Sequence, residues 1–286
     1  MLTLDDAWNS YLSTRQLTRN GYLNDISRYR THLKPYWHGR DLASTRTIDI
    51  QNYTTYLCNK SIGPQTIRLC LSQLRRVMKR ALLLELYNSP LPFFEMPCFD
   101  SVRYRYLTLE EAKNLFLELK NMSEFWYHVA TIVLNTGMRS GEIFSLKGKN
   151  FNFQQKSLIL HETKNKKQRI IPLNQTALEI IEGSVSGYER YLFGQIASPE
   201  RKYEKVSKVY RRAVAKCGLN DGITDNRYKV VFHTLRHTFA SWLVMEATPL
   251  AYVAELLGHN STKVTERYAH LSPDRGHSIV NKIPKL

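Results

Sequence analysis

Cysteine is scarce in this 286-residue sequence. Cys58, Cys70, Cys98 and Cys217 are scattered, and no two form a CxxC pair. That spacing excludes a zinc ribbon or a disulfide framework and fits a reducing compartment. No run of 18 apolar residues occurs, and residues 1–30 carry charges throughout without an apolar signal core. The expectation is a soluble intracellular chain without a membrane anchor. Acidic residues are also few: 25 Asp and Glu face 41 Lys and Arg, a formal net charge of +16.

The basic excess is spread along the chain. Residues 1–104 hold 14 basic and 8 acidic side chains, and residues 105–286 hold 27 and 17. A disordered basic tail would concentrate the charge at one end. With 43 % apolar residues there is material for real cores, so two folded basic bodies are expected. Their partner is a polyanion held from two sides, and duplex nucleic acid is the commonest of that kind.

The first body, residues 1–88, reads as helical. Thr3 followed by Asp6 resembles a helix N-cap. Further helices are expected over 21–32 and 49–58, and the clearest starts at Pro64, a favoured first helical residue. Its apolar stripe is Ile67, Leu71, Leu74, Met78, Ala81 and Leu82. Arg68, Arg75, Arg76, Lys79 and Arg80 gather on the other side, with no acid before Glu85. A one-signed face of this kind is expected to touch phosphates. Residues 89–104, rich in proline at first, read as a linker.

The second body, 105–286, opens with the capping-box pattern TLEEA at Thr108. A mostly apolar helix over 123–137 stops at Gly137. SLILHE (157–162) and QRIIPL (168–173) predict a hairpin around the polar TKNKK. A basic helix is expected near 203–216. Thr248 and Pro249 cap AYVAELLG, Ser261 begins TKVTERYAHL, and Ser272 with Pro273 opens a last short helix. The fold class is mainly α with a small antiparallel sheet.

HTLRHTFASWLV (233–244) places two histidines and an arginine at the mouth of an apolar helix. His233 and Arg236 share a face, and a helix N-terminus with a guanidinium suits a phosphate. A metal site explains the pattern less well. His233 and His237 have the spacing of HExxH, but Thr234 stands where the glutamate belongs, and an arginine between ligands repels a cation. Arg139 follows a glycine turn with Glu142 three residues on, either as a buried ion pair or as a phosphate-reaching arginine steadied by that glutamate.

In order the chain holds Arg139, Lys164, His233-x-x-Arg236, a Leu-Gly-His259 corner, and Tyr268 nine residues later. With TGMRSGEI, KNKKQRIIPL, HTLRHTFAS, LLGHNS and TERYAHL, this resembles the conserved boxes of tyrosine recombinases across residues 105–286. The first body is similar, less distinctively, to that family's helical core-binding (SAM-like) domain. It starts almost at Met1, as in a Xer-like two-domain layout without a separate arm-site module.

The resemblance implies site-specific cleavage and rejoining of double-stranded DNA through a 3′-phosphotyrosyl intermediate. Tyr268 is the implied nucleophile, His233 its base, and Arg139 and Arg236 the clamp on the non-bridging oxygens. His259 is a further donor, and Lys164 protonates the leaving 5′ oxygen, with Lys166 and Lys167 as alternatives in the same loop. His237 is expected to pack inside the domain or to meet Thr234, and His270 to lie on another face. No metal, ATP or other cofactor is required. The implied assembly is a homotetramer on two DNA sites, cytoplasmic and nucleoid-associated. Ile279, Val280 and Ile283 would pack either on a neighbour or on their own domain. A type IB topoisomerase-like relaxation and a catalytically silent DNA-binding relative are the alternatives.

Overall fold

The computed structural model describes residues 2–15, 19–100, 102–103, 105–160, 168–259 and 261–273. The chain divides into two compact units, Met1–Ser101 and Val102–Leu286.

The first unit is built from α1 (Leu4–Arg15), α2 (Arg19–Arg28), α3 (Lys34–Trp37), α4 (Thr47–Asn59) and α5 (Pro64–Leu83). Thr3 and Asp6 cap α1 reciprocally, with both Asp6 N and Thr3 N paired to the other's side chain. The helix expected at 21–32 runs on to Trp37 through one π-turn, Tyr29–Leu33. Pro35 lacks an N–H, and the wider π register lets Lys34 N donate to Tyr29 O instead of continuing the regular ladder. The α5 stripe forms as patterned: Ile67, Leu71, Leu74, Met78 and Ala81 are buried, each large side chain contributing about 1.5–3 kcal/mol.

A buried polar knot ties three of these helices. Asp25 accepts from Tyr11 Oη at 2.8 Å, Arg28 Nη1 at 3.1 Å and Arg76 Nη2 at 3.4 Å. Gln73 donates to Asp25 O and accepts from Arg28. Within the proline-rich stretch expected to act as a linker, Phe94 joins this unit's core, Leu91 and Met96 pack against it, and Phe93 N donates to Thr47 Oγ1. Large apolar side chains fix that segment in place of the freedom its prolines suggested.

The second unit contains α6 (Leu109–Met122), α7 (Glu124–Thr136) and α8 (Ser140–Ile143). After them come β1 (Phe151–Asn152), β2 (Ser157–Leu160), β3 (Arg169–Pro172) and α9 (Gln175–Ser184). The chain continues through β4 (Gly194–Gln195), β5 (Ser198–Lys202), α10 (Lys208–Lys216), α11 (Thr234–Met245) and α12 (Leu250–Leu257). Thr108 and Glu111 form the capping box of α6. β1, β2 and β3 make an antiparallel sheet with Leu158 opposite Ile171. The basic helix α10 starts later than expected, because Ser207 caps it. The segment around Tyr268 forms two short 3₁₀ turns, Thr262–Val264 and Glu266–Leu271, in place of one helix.

One core gathers α6, α7, the sheet, α9 and α10. A second holds Ala240 and Val244 of α11, Val253 and Leu257 of α12, and Tyr268. Among the described residues no helix is long and apolar enough to cross a membrane.

Candidate active site

Two helix ends are shaped first. α7 stops at Gly137 (φ 63°) and α12 at Gly258 (φ 65°), both in the left-handed region that glycine tolerates without strain. Each stop leaves carbonyls at the negative end of a helix dipole, and a cation collects them. Arg236 Nη1 donates to Gly137 O at 2.5 Å, and its Nη2 donates to Leu257 O at 2.7 Å. Arg169 Nη1 donates to the same Leu257 O.

The helix mouth differs from the phosphate seat expected of its backbone. Thr234 N and Leu235 N already donate to Val231 O and Phe232 O. The positive charge comes from the arginine side chain. Arg236 is buried, and burial followed by repulsion from Arg139 pulls its pKa down to about 9, so it remains a cation at neutral pH.

Arg139 lies on the rim. Glu142 accepts Arg139 N at 2.8 Å and Arg139 Nη1 at 2.9 Å, closing the first turn of α8. It also accepts Arg169 Nη2 at 2.9 Å. Burial alone raises the Glu142 pKa, but the charge of Arg169, the Arg139 N–H and the charges of Arg139 and Arg236 together hold it below the usual carboxylate range. Glu142 therefore both steadies Arg139 and neutralises a buried neighbour.

His259 follows the α12 stop. Arg236 Nη2 donates to its Nε2 at 3.1 Å, so Nδ1 carries the hydrogen and donates to Thr265 Oγ1 at 2.8 Å. Burial and then Arg236 push its pKa down to about 4, and the ring is neutral. In this state its Nε2 is an acceptor, unlike the donor the resemblance implied.

Tyr268 is buried on the 3₁₀ turn, within electrostatic reach of Arg236 and Arg267. Burial raises its pKa, and those two cations offset part of the rise. Its hydroxyl lies 2.5 Å from His237 Nδ1. His233 stands at the exposed rim with its ring edge-on to His237, centroids 4.8 Å apart. Packing, then the charges of Arg236, Arg139, Arg103 and Arg267, disfavours a protonated His233. His270 is exposed.

Arg139, Glu142, His233, Arg236, His259 and Tyr268 thus come from four separate segments. Lys164, Lys166 and Lys167 lie outside the described residues, as do Ile279, Val280 and Ile283. Arg169 was given no role from the sequence, and His237, expected to pack inside the domain or to meet Thr234, is buried and meets Tyr268. Arg169 sits at an inward position of β3 beside Ile171, and a lone arginine on a strand's buried face is a signal for an ion pair. His237 lies four residues after His233, one turn along the helix.

On α5, Arg68, Arg75, Arg76 and Lys79 are exposed and Arg80 is half-buried. At roughly 100° per residue, Arg68, Arg75 and Lys79 form one line, and Arg76 and Arg80 turn away from it. Arg76 reaches the Asp25 knot.

Residues 105–275 match the model of the phage integrase family. The integrase of Salmonella phage P22 is 31 % identical over 199 residues, covering 64 % of this chain and 48 % of that protein. The tyrosine recombinase XerD of Staphylococcus saprophyticus is 27 % identical over 293 residues, covering 98 % of each. The chain thus spans about half the length of the first and nearly all of the second. Among solved structures, the Tn1549 transposon integrase in complex with a circular intermediate DNA superposes with a TM-score of 0.77. Its identity is 17 %, over 99 % of this chain and 100 % of that one. A lambda integrase dimer bound to a COC' core site gives 0.74 at 16 % identity, over 95 % of each. These structures share the fold. The family match covers more than half of the sequence and includes every segment that contributes to the Arg236 cluster: the chain belongs to the phage integrase family of tyrosine recombinases.

Proposed function

We propose that this recombinase cuts and rejoins duplex DNA at specific sites, with Tyr268 as nucleophile. The Tyr268 oxygen bonds to phosphorus, the 5′ oxygen leaves with a proton from Lys164, and a 3′-phosphotyrosyl link conserves the bond energy for rejoining. His233 takes the phenolic proton. Arg139 and Arg236 neutralise the charge that grows on the non-bridging oxygens. His259 joins them in its other tautomer, with Thr265 Oγ1 donating to Nδ1 and Nε2–H donating to a phosphoryl oxygen in place of its present bond to Arg236.

The observation that carries this reading is the mooring of Arg236. Its guanidinium is fixed by two helix-end carbonyls beside the buried Tyr268, so no reorganisation is needed as charge develops. A cation held away from water acts more strongly on a phosphoryl group than a solvated one. Buried Arg236 and rim-bound Arg139 together supply the charge that a divalent metal supplies elsewhere. The DNA in the related integrase complexes supports duplex DNA as the partner. The finer reading is a homotetramer on two sites, with the Arg68, Arg75 and Lys79 line following a phosphate backbone.

Incubation with a nicked candidate site in EDTA tests the chemistry. A covalent protein–DNA adduct is expected from the wild type and not from Tyr268→Phe. Arg139→Ala and Arg236→Ala are expected to retain DNA binding and to lose at least about 100-fold in adduct formation. A requirement for two matched sites distinguishes recombination from topoisomerase-like relaxation. An adduct from Tyr268→Phe, or a need for added metal, refutes the proposal.

A further inference from the structure

The mechanism above leaves one buried polar contact unassigned. His237 and Tyr268 are 5 % and 6 % exposed, and the Tyr268 hydroxyl lies within hydrogen-bond distance of His237 Nδ1. We propose that His237 is a positioning residue for the nucleophile: its Nδ1 accepts the Tyr268 hydroxyl and aims the oxygen lone pairs at the bound phosphate. This rests on Tyr268 being the nucleophile.

The backbone offers little help in placing this side chain. Tyr268 sits on a six-residue 3₁₀ turn, where hydrogen-bond geometry is poorer than in an α-helix. Its ring is gripped by the small α11–α12 core, and its oxygen by a single polar contact, with His237. That partner stands on a regular twelve-residue helix, one turn before the side chains of the same core. The regular helix therefore holds the less regular turn at the reacting atom.

The surroundings of His237 set its charge. His233, Arg103, Arg236 and Arg267 all face His237, and with burial they keep its imidazole neutral. In the tautomer of the neutral ring that carries its hydrogen on Nε2, Nδ1 accepts and the phenol donates, which is the arrangement proposed. Donation directs the hydrogen toward the core and leaves both oxygen lone pairs turned elsewhere. A hydroxyl hydrogen is a rotor, and the proton can pass to His233 during attack without moving the oxygen. The role proposed for His237 is to hold the hydroxyl, and the proton goes to His233 as proposed above.

Replacement by asparagine is the discriminating change, because Asn Oδ1 occupies the place of Nδ1 and accepts a hydrogen bond but does not take up a proton. His237→Leu removes the acceptor. On a nicked site, His237→Leu is expected to form adduct about tenfold more slowly than wild type at equal DNA binding. His237→Asn is expected to remain within about threefold of wild type. Equal rates for His237→Leu and wild type would overturn the proposal, as would a His237→Asn rate as low as that of His237→Leu. A wild type without adduct would instead refute the Tyr268 assignment. Should His237→Leu fold poorly, the ¹⁵N shift of His237 Nδ1 gives an independent answer. It is expected to move in Tyr268→Phe, and an unchanged shift overturns the proposal.

Discussion

Arg169 is buried, and it connects the two parts of the site. One nitrogen meets Glu142, which anchors Arg139, and another meets Leu257 O, which anchors Arg236. Burial works against its charge, and Glu142 compensates. Removing one partner of such a pair leaves the other charged and dry, at a cost of about 3–5 kcal/mol. Arg169→Gln is therefore expected to lower the unfolding free energy of the protein by about that amount in urea titrations. Glu142→Gln added to it should cost much less than Glu142→Gln alone, because the two share one interaction. Additive losses would show that the pair is not coupled. At this scale the sequence was readable where a residue type is costly to bury without a reason: Arg139, His233 and Arg236 drew attention at once. Arg169 hid inside a four-residue strand, and His237 looked like core packing because its partner lies 31 positions away.

Helix ends, more than helices, position the site. The Gly258 stop turns the chain so that Leu257 O faces two guanidiniums and His259 follows at once. A side chain there would meet a positive φ and the Arg169 guanidinium together. Gly258→Ala is expected to destabilise by about 1–2 kcal/mol through backbone strain and to lower adduct formation more than that loss of stability explains. Thermal melts beside adduct rates would check this, and unchanged rates would refute it. Elements with strong local signals were legible: the α5 stripe, the Thr108 capping box and the Gly137 stop. The β4–β5 hairpin was not, because SPERK is polar and mostly exposed, with no apolar alternation to mark it. The 3₁₀ form of the Tyr268 turn was equally hidden, since its sequence carries an ordinary helical pattern and tertiary packing decides the outcome.

For the whole molecule, charge is the guide. A net +16 shared by two independent cores implies affinity for a polyanion with a steep dependence on salt. Arg75→Gln and Lys79→Gln are each expected to weaken DNA binding similarly for specific and random duplexes. Each should also reduce the slope of log K against log salt by about 1. Arg76→Gln should change the slope less, because that side chain is engaged by Asp25. Equal effects of Arg75 and Arg76 would remove the distinction between the line and its flank. Basic composition revealed the class of partner and no more, since base readout depends on which side chains enter a groove.

The single carbonyl of Leu257 couples two guanidiniums. Because Arg236 binds it directly and Arg139 depends on it through Glu142 and Arg169, a small displacement at that peptide would loosen the hold on both the Arg236 and Arg139 guanidiniums simultaneously. Arrangements with one guanidinium held and the other released should therefore be rare.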